Sequence, residues 1–325
     1  MARFLVTGGA GFIGSHLVDA LVGAGTPAGR KVRVLDDLST GRRENLPAAA
    51  ELIEGDVADP AVMRAAMAGV DGCFHLAAIA SVARAAEDWL GTHRVNLGGT
   101  IAVLDAARAR GVPVVYASSA AVYGDCPDQP IAETAPTRPL SAYGADKLGS
   151  ELHAAVAARV FGVANVGLRF FNVYGPRQDP GSPYSGVISI FAGRLRRGEP
   201  VDMFGDGGQT RDFVEVADVV AALCAAMGWI APGGAARGAA PKAAVFNVCT
   251  GIATSIRALA AELAALEGGT AVVREGPPRP GDIRHSVGCP KAGREALGLG
   301  PPTPLRAGLA RVRAWLDAGG EAGRG

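Results

Sequence analysis

Apolar residues recur along the first half of the chain in two alternating rhythms. Short runs rich in Val, Ile, Leu and Phe at 3–7, 31–36, 52–54, 72–76, 112–118 and 165–170 predict strands. Longer segments rich in Ala, Leu and Arg at 12–25, 89–111 and 143–161 predict helices. Such alternation predicts an α/β fold built on a doubly wound parallel sheet. After Phe170 the order loosens. A turn-rich stretch at 176–186 precedes helices at 187–197, 216–228 and 255–267, with a glycine-rich segment at 205–208 between the first two. A smaller C-terminal α/β lobe is therefore expected, with the division near Asn172. Residues 231–244 are almost wholly Ala, Gly and Pro and predict a surface loop, and the tail 317–325 reads as frayed.

Composition narrows the class. Hydrophobic residues make up 49% of the 325 and charged residues 19%, enough apolar content for a sizeable core and too much for a disordered chain. The net charge of +1 offers no basic field for nucleic acid. Five scattered cysteines with no C-x-x-C spacing indicate neither a zinc site nor a disulfide framework, so reduced thiols and no metal are expected. Met1-Ala2-Arg3 runs straight into the first strand pattern, so no signal peptide is expected. The longest uncharged run, 219–236, is broken by Pro232-Gly233-Gly234 and is too short to span a bilayer. These features together predict a cytoplasmic enzyme with no membrane or nucleic-acid partner.

Gly8-Gly9-Ala10-Gly11-Phe12-Ile13-Gly14 follows the first strand and opens the first helix. This G-x-x-G-x-x-G spacing is a variant of the dinucleotide fingerprint, in which glycines let backbone N–H groups approach a pyrophosphate at a helix N-terminus. Asp36 ends the second strand, where a carboxylate accepts hydrogen bonds from ribose hydroxyls and repels a 2′-phosphate. NAD is therefore expected rather than NADP, although Arg42 and Arg43 argue mildly the other way. The expected domains are a Rossmann-type NAD-binding domain at 1–171, with 212–250 packing back on it, and a substrate-binding lobe of 172–211 and 251–325. Asp56-Val57 follows another short strand, and spacing alone leaves open whether it meets an adenine edge or only makes a turn.

Tyr143 and Lys147 lie four residues apart at the start of a helix, which puts both on one face. A nearby ammonium stabilises a phenolate, so the pair predicts a lowered Tyr143 pKa and a general base for a hydroxyl. The strand before it ends in Ser118-Ser119, a hydroxyl source for holding a reacting oxygen.

With Asp36-Asp37-Leu38-Ser39-Thr40-Gly41, His75-Leu76-Ala77-Ala78, Ser118-Ser119-Ala120-Ala121-Val122-Tyr123-Gly124, Tyr143-Gly144-Ala145-Asp146-Lys147, Arg169-Phe170-Phe171-Asn172-Val173-Tyr174-Gly175-Pro176, the segment from Gly205 to Phe213, and Arg279-Pro280-Gly281-Asp282 added to the glycine turn, the chain resembles the extended short-chain dehydrogenase/reductases, specifically the NAD-dependent sugar epimerase/dehydratase family. Within the family it is most similar to UDP-hexose 4-epimerases. The related dehydratases carry an Asp-Glu pair after the catalytic hydroxyl residue, and the related decarboxylases keep the Glu. This chain has Ala120 and Ala121, whose methyl groups exchange no protons.

The resemblance implies NAD held by Gly8, Gly11, Phe12, Ile13, Gly14, Asp36, Asp37, Leu38, Ser39, Thr40, Gly41, Asp56, Val57, Leu76, Ala77, Ala78, Ala80, Asn96, Ser118, Tyr143, Lys147 and Phe170. It implies catalysis by Ser119, Tyr143 and Lys147. It implies a UDP-sugar held by Ser81, Arg84, Ser119, Ala120, Tyr143, Asn172, Val187, Arg211, Arg279, Asp282 and Ser286, with Arg211 and Arg279 forking the pyrophosphate. Small Ser286 leaves room for an N-acetyl group at sugar C2. Helices 89–111 and 143–161 resemble those of a homodimer interface. A UDP-glucuronate 4-epimerase, an NAD(P)-dependent sugar oxidoreductase or dehydratase of the same family, and a non-catalytic NAD sensor are the competing readings. The sensor would be expected to lack the Tyr/Lys pair.

Overall fold

The computed structural model describes residues 2–23, 30–180, 186–231, 243–278 and 283–320. In chain order the strands are β1 (Arg3–Thr7), β2 (Lys31–Asp36), β3 (Glu51–Glu54), β4 (Gly72–His75), β5 (Val114–Ser119), β6 (Asn165–Phe170), β7 (Asn172–Tyr174), β8 (Val201–Phe204), β9 (Thr210–Arg211), β10 (Phe213–Glu215), β11 (Ala243–Val248), β12 (Thr254–Ser255), β13 (Val273–Gly276) and β14 (His285–Ser286). The α-helices are α1 (Phe12–Val22), α2 (Pro60–Met67), α3 (Val82–Glu87), α4 (Trp89–His93), α5 (Gly99–Arg108), α6 (Ala142–Phe161), α7 (Val187–Arg196), α8 (Val216–Ile230), α9 (Ile256–Leu266), α10 (Lys291–Leu297) and α11 (Leu305–Asp317).

Seven strands form one parallel sheet in the order β11-β6-β5-β4-β1-β2-β3. This is the Rossmann-like core that the strand–helix rhythm predicts. A sheet buried on both faces needs two apolar layers. Leu17, Val18 and Leu21 of α1 pack with Val219, Leu223 and Met227 of α8 on one face. Met63 and Met67 of α2 pack with Val103 and Leu104 of α5 and Ala154 of α6 on the other. Strand order reverses between β1 and β4, and in such sheets ligands bind beyond the C-terminal strand ends at the reversal. The smaller C-terminal α/β subdomain has its own core, with Ile188 and Phe191 of α7, Met203 of β8, Leu259 and Leu263 of α9, and Leu309 and Val312 of α11.

Three spans depart from the sequence reading. The expected helix at 89–111 is broken into α4, a π-helical turn at Arg94–Gly98, and α5. The wide turn carries Asn96, whose side-chain oxygen accepts from Ile79 N at 2.8 Å and whose amide donates to Ile79 O at 3.2 Å. A tertiary demand thus reshapes a segment with helical propensity. Helix α1 ends at Val22, followed by an extended Gly23, and the rest of the expected span lies outside the described residues. Strand β5 begins at Val114, after Pro113.

Candidate active site

The sheet's C-terminal edge opens into a cleft of about 1180 Å³. Its floor is the turn between β1 and α1. Gly8 adopts φ +69°, and a Cβ there would lie 2.6 Å from Ala77 N. A Cβ on Gly14 would lie 2.1 Å from Gly8 O. The turn can fold this tightly, and sit this close to the end of β4, only with glycine at both positions. Helix α1 then starts at Gly11 with no side-chain cap, so its first-turn N–H groups form a donor set suited to phosphate oxygens.

Asp36 closes the far side. Its carboxylate accepts from Ala10 N and Leu38 N, both at 2.9 Å, and burial holds its pKa above the usual carboxylate value. Each oxygen retains a lone pair for a ribose hydroxyl. Leu38 sits at φ +57° and Arg177 at φ +66°, the two non-glycine residues with positive φ among those described. Both line this cleft. A side chain in that conformation costs about 1–2 kcal/mol, and such strain clusters at ligand sites. Arg42 lies 3.8 Å from Asp179 and Arg43 lies 3.0 Å from Glu54. Both arginines are thus matched by carboxylates of the chain itself.

Across the cleft stand Ser119, at the end of β5, and Tyr143 and Lys147 in the first two turns of α6. Ser141 caps this helix by accepting from Gly144 N at 3.1 Å. Gly144 lets α6 press against the turn Ala120–Val122, since a Cβ there would lie 2.6 Å from Ala121 O. That contact brings Tyr143 within hydrogen-bonding reach of the Ser119 hydroxyl. Ser119 Oγ also accepts from Ala121 N at 3.2 Å. Its single proton can go either to the phenol oxygen or to a reacting oxygen.

The expected lowering of the Tyr143 pKa by Lys147 is not what this geometry gives. Burial raises the phenol, and the Ser119 hydrogen bond opposes the rise. Lys147 Nζ sits 5.8 Å from the Tyr143 ring centroid and donates to Ala117 O at 2.9 Å. Burial lowers Lys147 to about 8, and the neighbouring Asp146 carboxylate opposes that fall.

Gly8, Gly11, Phe12, Ile13, Gly14, Asp36 through Gly41, Val57, Leu76, Ala77, Ala78, Ala80, Ser81, Arg84, Ser118, Ser119, Tyr143, Lys147, Phe170 and Asn172 all line the one cleft. Ser118 spends its hydroxyl on Glu151 Oε1 at 2.5 Å, and Glu151 in turn pairs with buried Arg169. Asp56, Asn96, Ala120, Val187, Arg211 and Ser286 do not line it. Asp56 pairs with Arg94 at 2.6 Å, and it is Arg94 that faces the cleft. Asn96 stands behind the wall and fixes Ile79, which lines the cleft. Val187 follows the lining residue Gly186. Arg211 and Ser286 are partners in the pairing of β9 with β14. Arg279 and Asp282 lie outside the described residues. The sequence reading missed Asn45, Gln178, Asp179 and Trp315 as lining residues, together with Arg177. None of the five sits in a spacing that signals a ligand.

A glycine turn, a buried carboxylate at the end of β2 and a Tyr/Lys/Ser group on one Rossmann cleft are the features of a dinucleotide-dependent enzyme. Residues 4–248 match the NAD dependent epimerase/dehydratase family, and the chain belongs to it. It is 40% identical over 319 residues to a UDP-glucose 4-epimerase of Mycolicibacterium smegmatis, covering 95% of this chain and 97% of that one. The crystal structure of a UDP-glucose 4-epimerase from Thermotoga maritima, solved with UDP-glucose, superposes with a TM-score of 0.89 at 36% identity, covering 98% of this chain and 99% of the other. A Thermus thermophilus UDP-glucose 4-epimerase in complex with NAD gives a TM-score of 0.85 at 37% identity, covering 97% and 99%. The chain is therefore an enzyme of a family that acts on UDP-hexoses through NAD-dependent epimerisation or oxidoreduction.

Proposed function

We propose that this enzyme is an NAD-dependent 4-epimerase of a UDP-hexose. The observation that carries the reading is the pair of residues that follows Ser119 in the chain. Tyr143 lies within hydrogen-bonding reach of Ser119, but the next two side chains are the methyl groups of Ala120 and Ala121. The site can move one proton on and off a hydroxyl, yet neither residue after Ser119 carries an acid for eliminating water or assisting decarboxylation.

NAD fits the residues present: the uncapped α1 turn for the pyrophosphate, Asp36 for a ribose, and arginines already matched by carboxylates. NAD held there would supply reversible hydride chemistry at sugar C4. Tyr143 takes the proton of the sugar 4-hydroxyl and later restores it. Ser119 donates to that oxygen and fixes its position. Lys147 supplies a buried positive charge beside the phenol. Arg211 and Arg279 are proposed to grip the UDP pyrophosphate, with Val187, Asp282 and Ser286 on the substrate-lobe side. UDP-glucose and UDP-galactose are the proposed pair, with small Ser286 admitting the N-acetylated sugars. A homodimer is proposed through α4 and α6.

The test is a panel of UDP-glucose, UDP-N-acetylglucosamine and UDP-glucuronate, with products resolved by chromatography and no NAD added. The protein should interconvert the C4 epimers of UDP-glucose. Tyr143→Phe should lose about 10²–10⁴ in rate while still binding UDP-sugar. Ser286→Tyr should close the site to the N-acetylated sugar and spare UDP-glucose. Loss of water or CO₂ from any sugar, or an absolute demand for added NADPH, would refute the reading.

A further inference from the structure

Residues 176–179 are tied to α1 at one end and to α7 at the other. Pro176 O lies 2.9 Å from His16 Nε2 on α1. Arg177 pairs through Nη2 with Asp19 of α1 at 2.7 Å, one turn beyond His16. Gln178 accepts from Ser189 Oγ of α7 at 2.6 Å. Arg177 adopts a left-handed backbone, lines the cleft, and holds its other amino group, Nη1, buried with no hydrogen-bond partner among the described residues. A guanidinium is anchored on one side and left with an unused donor on the other, and a strained backbone holds it there. An arginine is well suited to span two anions, because its donors point in fixed, separate directions.

We propose that Arg177 is a latch that retains the dinucleotide. Asp19 fixes the guanidinium against α1, and Nη1 donates to a phosphate oxygen of the dinucleotide lying over the start of that helix. The proposal rests on the reading that this cleft holds NAD. It adds that retention comes from the segment linking the two lobes as well as from the glycine turn. Such a hold matters for an enzyme whose reduced cofactor must stay in place between two half-reactions.

The experiment uses the full-length protein saturated with NAD, stripped of free NAD by gel filtration, and sampled over time for dinucleotide still bound. Arg177→Asn removes the guanidinium and keeps a residue that tolerates the left-handed backbone. It should release NAD about tenfold faster than wild type or more, the loss expected for one charge-assisted hydrogen bond. Arg177→Lys, a point charge without the fork, should fall between the two. If Arg177→Asn does not fold, Arg177→Lys alone decides, since a release rate equal to wild type overturns the latch. Equal release from wild type and Arg177→Asn overturns it too. Release is read without any sugar, so a wild-type protein that epimerises no UDP-hexose but retains NAD through Arg177 would sink the proposed activity and leave the latch standing.

Discussion

His75 lies buried at the C-terminal end of β4 with both ring nitrogens engaged. Nδ1 is 2.8 Å from Thr7 Oγ1, and Nε2 is 3.1 Å from Thr100 Oγ1. Thr100 already donates to Asn96 O at 2.7 Å, so it accepts from His75, and the neutral ring carries its proton on Nε2. Thr7 then donates to Nδ1, while its oxygen accepts from Ala77 N at 3.3 Å. Burial, with Lys147 adding repulsion, lowers the His75 pKa to about 3. Unfolding restores an ordinary imidazole near 6.5, so below that pH the unfolded chain binds a proton that the native one refuses. Stability is therefore full above pH 6.5 and falls as pH drops toward 3, by on the order of 4 kcal/mol across the whole window. His75→Asn, which cannot titrate, should show a shallower loss of stability between pH 6.5 and 4. Urea midpoints at several pH values measure this, and parallel curves for the two proteins would refute it.

Helix α6 is the element that places the proposed catalytic pair, and Gly144 sets the helix. Gly144→Ala would drive a methyl group into Ala121 O and lift the first turn off Ala120–Val122. Tyr143 would retreat from Ser119. Because a misplacement of about 1 Å can cost about 10² in rate, kcat should fall by that order while the bound dinucleotide content stays at the wild-type level. An unchanged kcat would show that the close contact is not what aligns the pair. This helix was legible in the sequence because its signals are local: a run rich in Ala, Leu and Arg that opens with a Tyr and a Lys four apart. The glycine turn and Asp36 were legible for the same reason. Asn96 bonds Ile79 through its side-chain amide, and the π-helical turn serves those bonds, a local distortion that helical periodicity does not signal. Arg211 beside Ser286 depends on strands 75 residues apart meeting in register. Arg177 shows no signal because its conformation is imposed by contacts with α1, and no sequence pattern encodes it.

On the scale of the whole molecule, one face remains apolar. Leu152, Val156 and Val160 repeat at helical spacing along α6 and are exposed by 62%, 49% and 64%. Trp89 and Leu90 of α4, a helix that packs on α6, are more exposed still. A pair of helices on each of two subunits would bury this surface in the proposed homodimer. Sedimentation should give twice 32.9 kDa for the wild type. The double change Leu152→Asp and Val156→Asp should give a single-chain mass, with the dinucleotide cleft, on another face of α6, still able to hold NAD. A wild type that sediments as one chain at micromolar concentration would remove the dimer from the proposal.

The order of the sheet has a consequence for synthesis on the ribosome. Strand β11 is the partner of β6, with Ala243 opposite Asn165 and Val248 opposite Phe170, and α8 covers the face over α1. A nascent chain that has emerged only through the end of β6 holds six of the seven strands, an open edge, and an apolar layer with no cover. It must wait for more than 70 further residues before that edge closes, about 4–14 s at ordinary elongation rates. The C-terminal subdomain's first helix and strands are made during that pause. The interval before β11 arrives is when the chain is most exposed to edge-to-edge association.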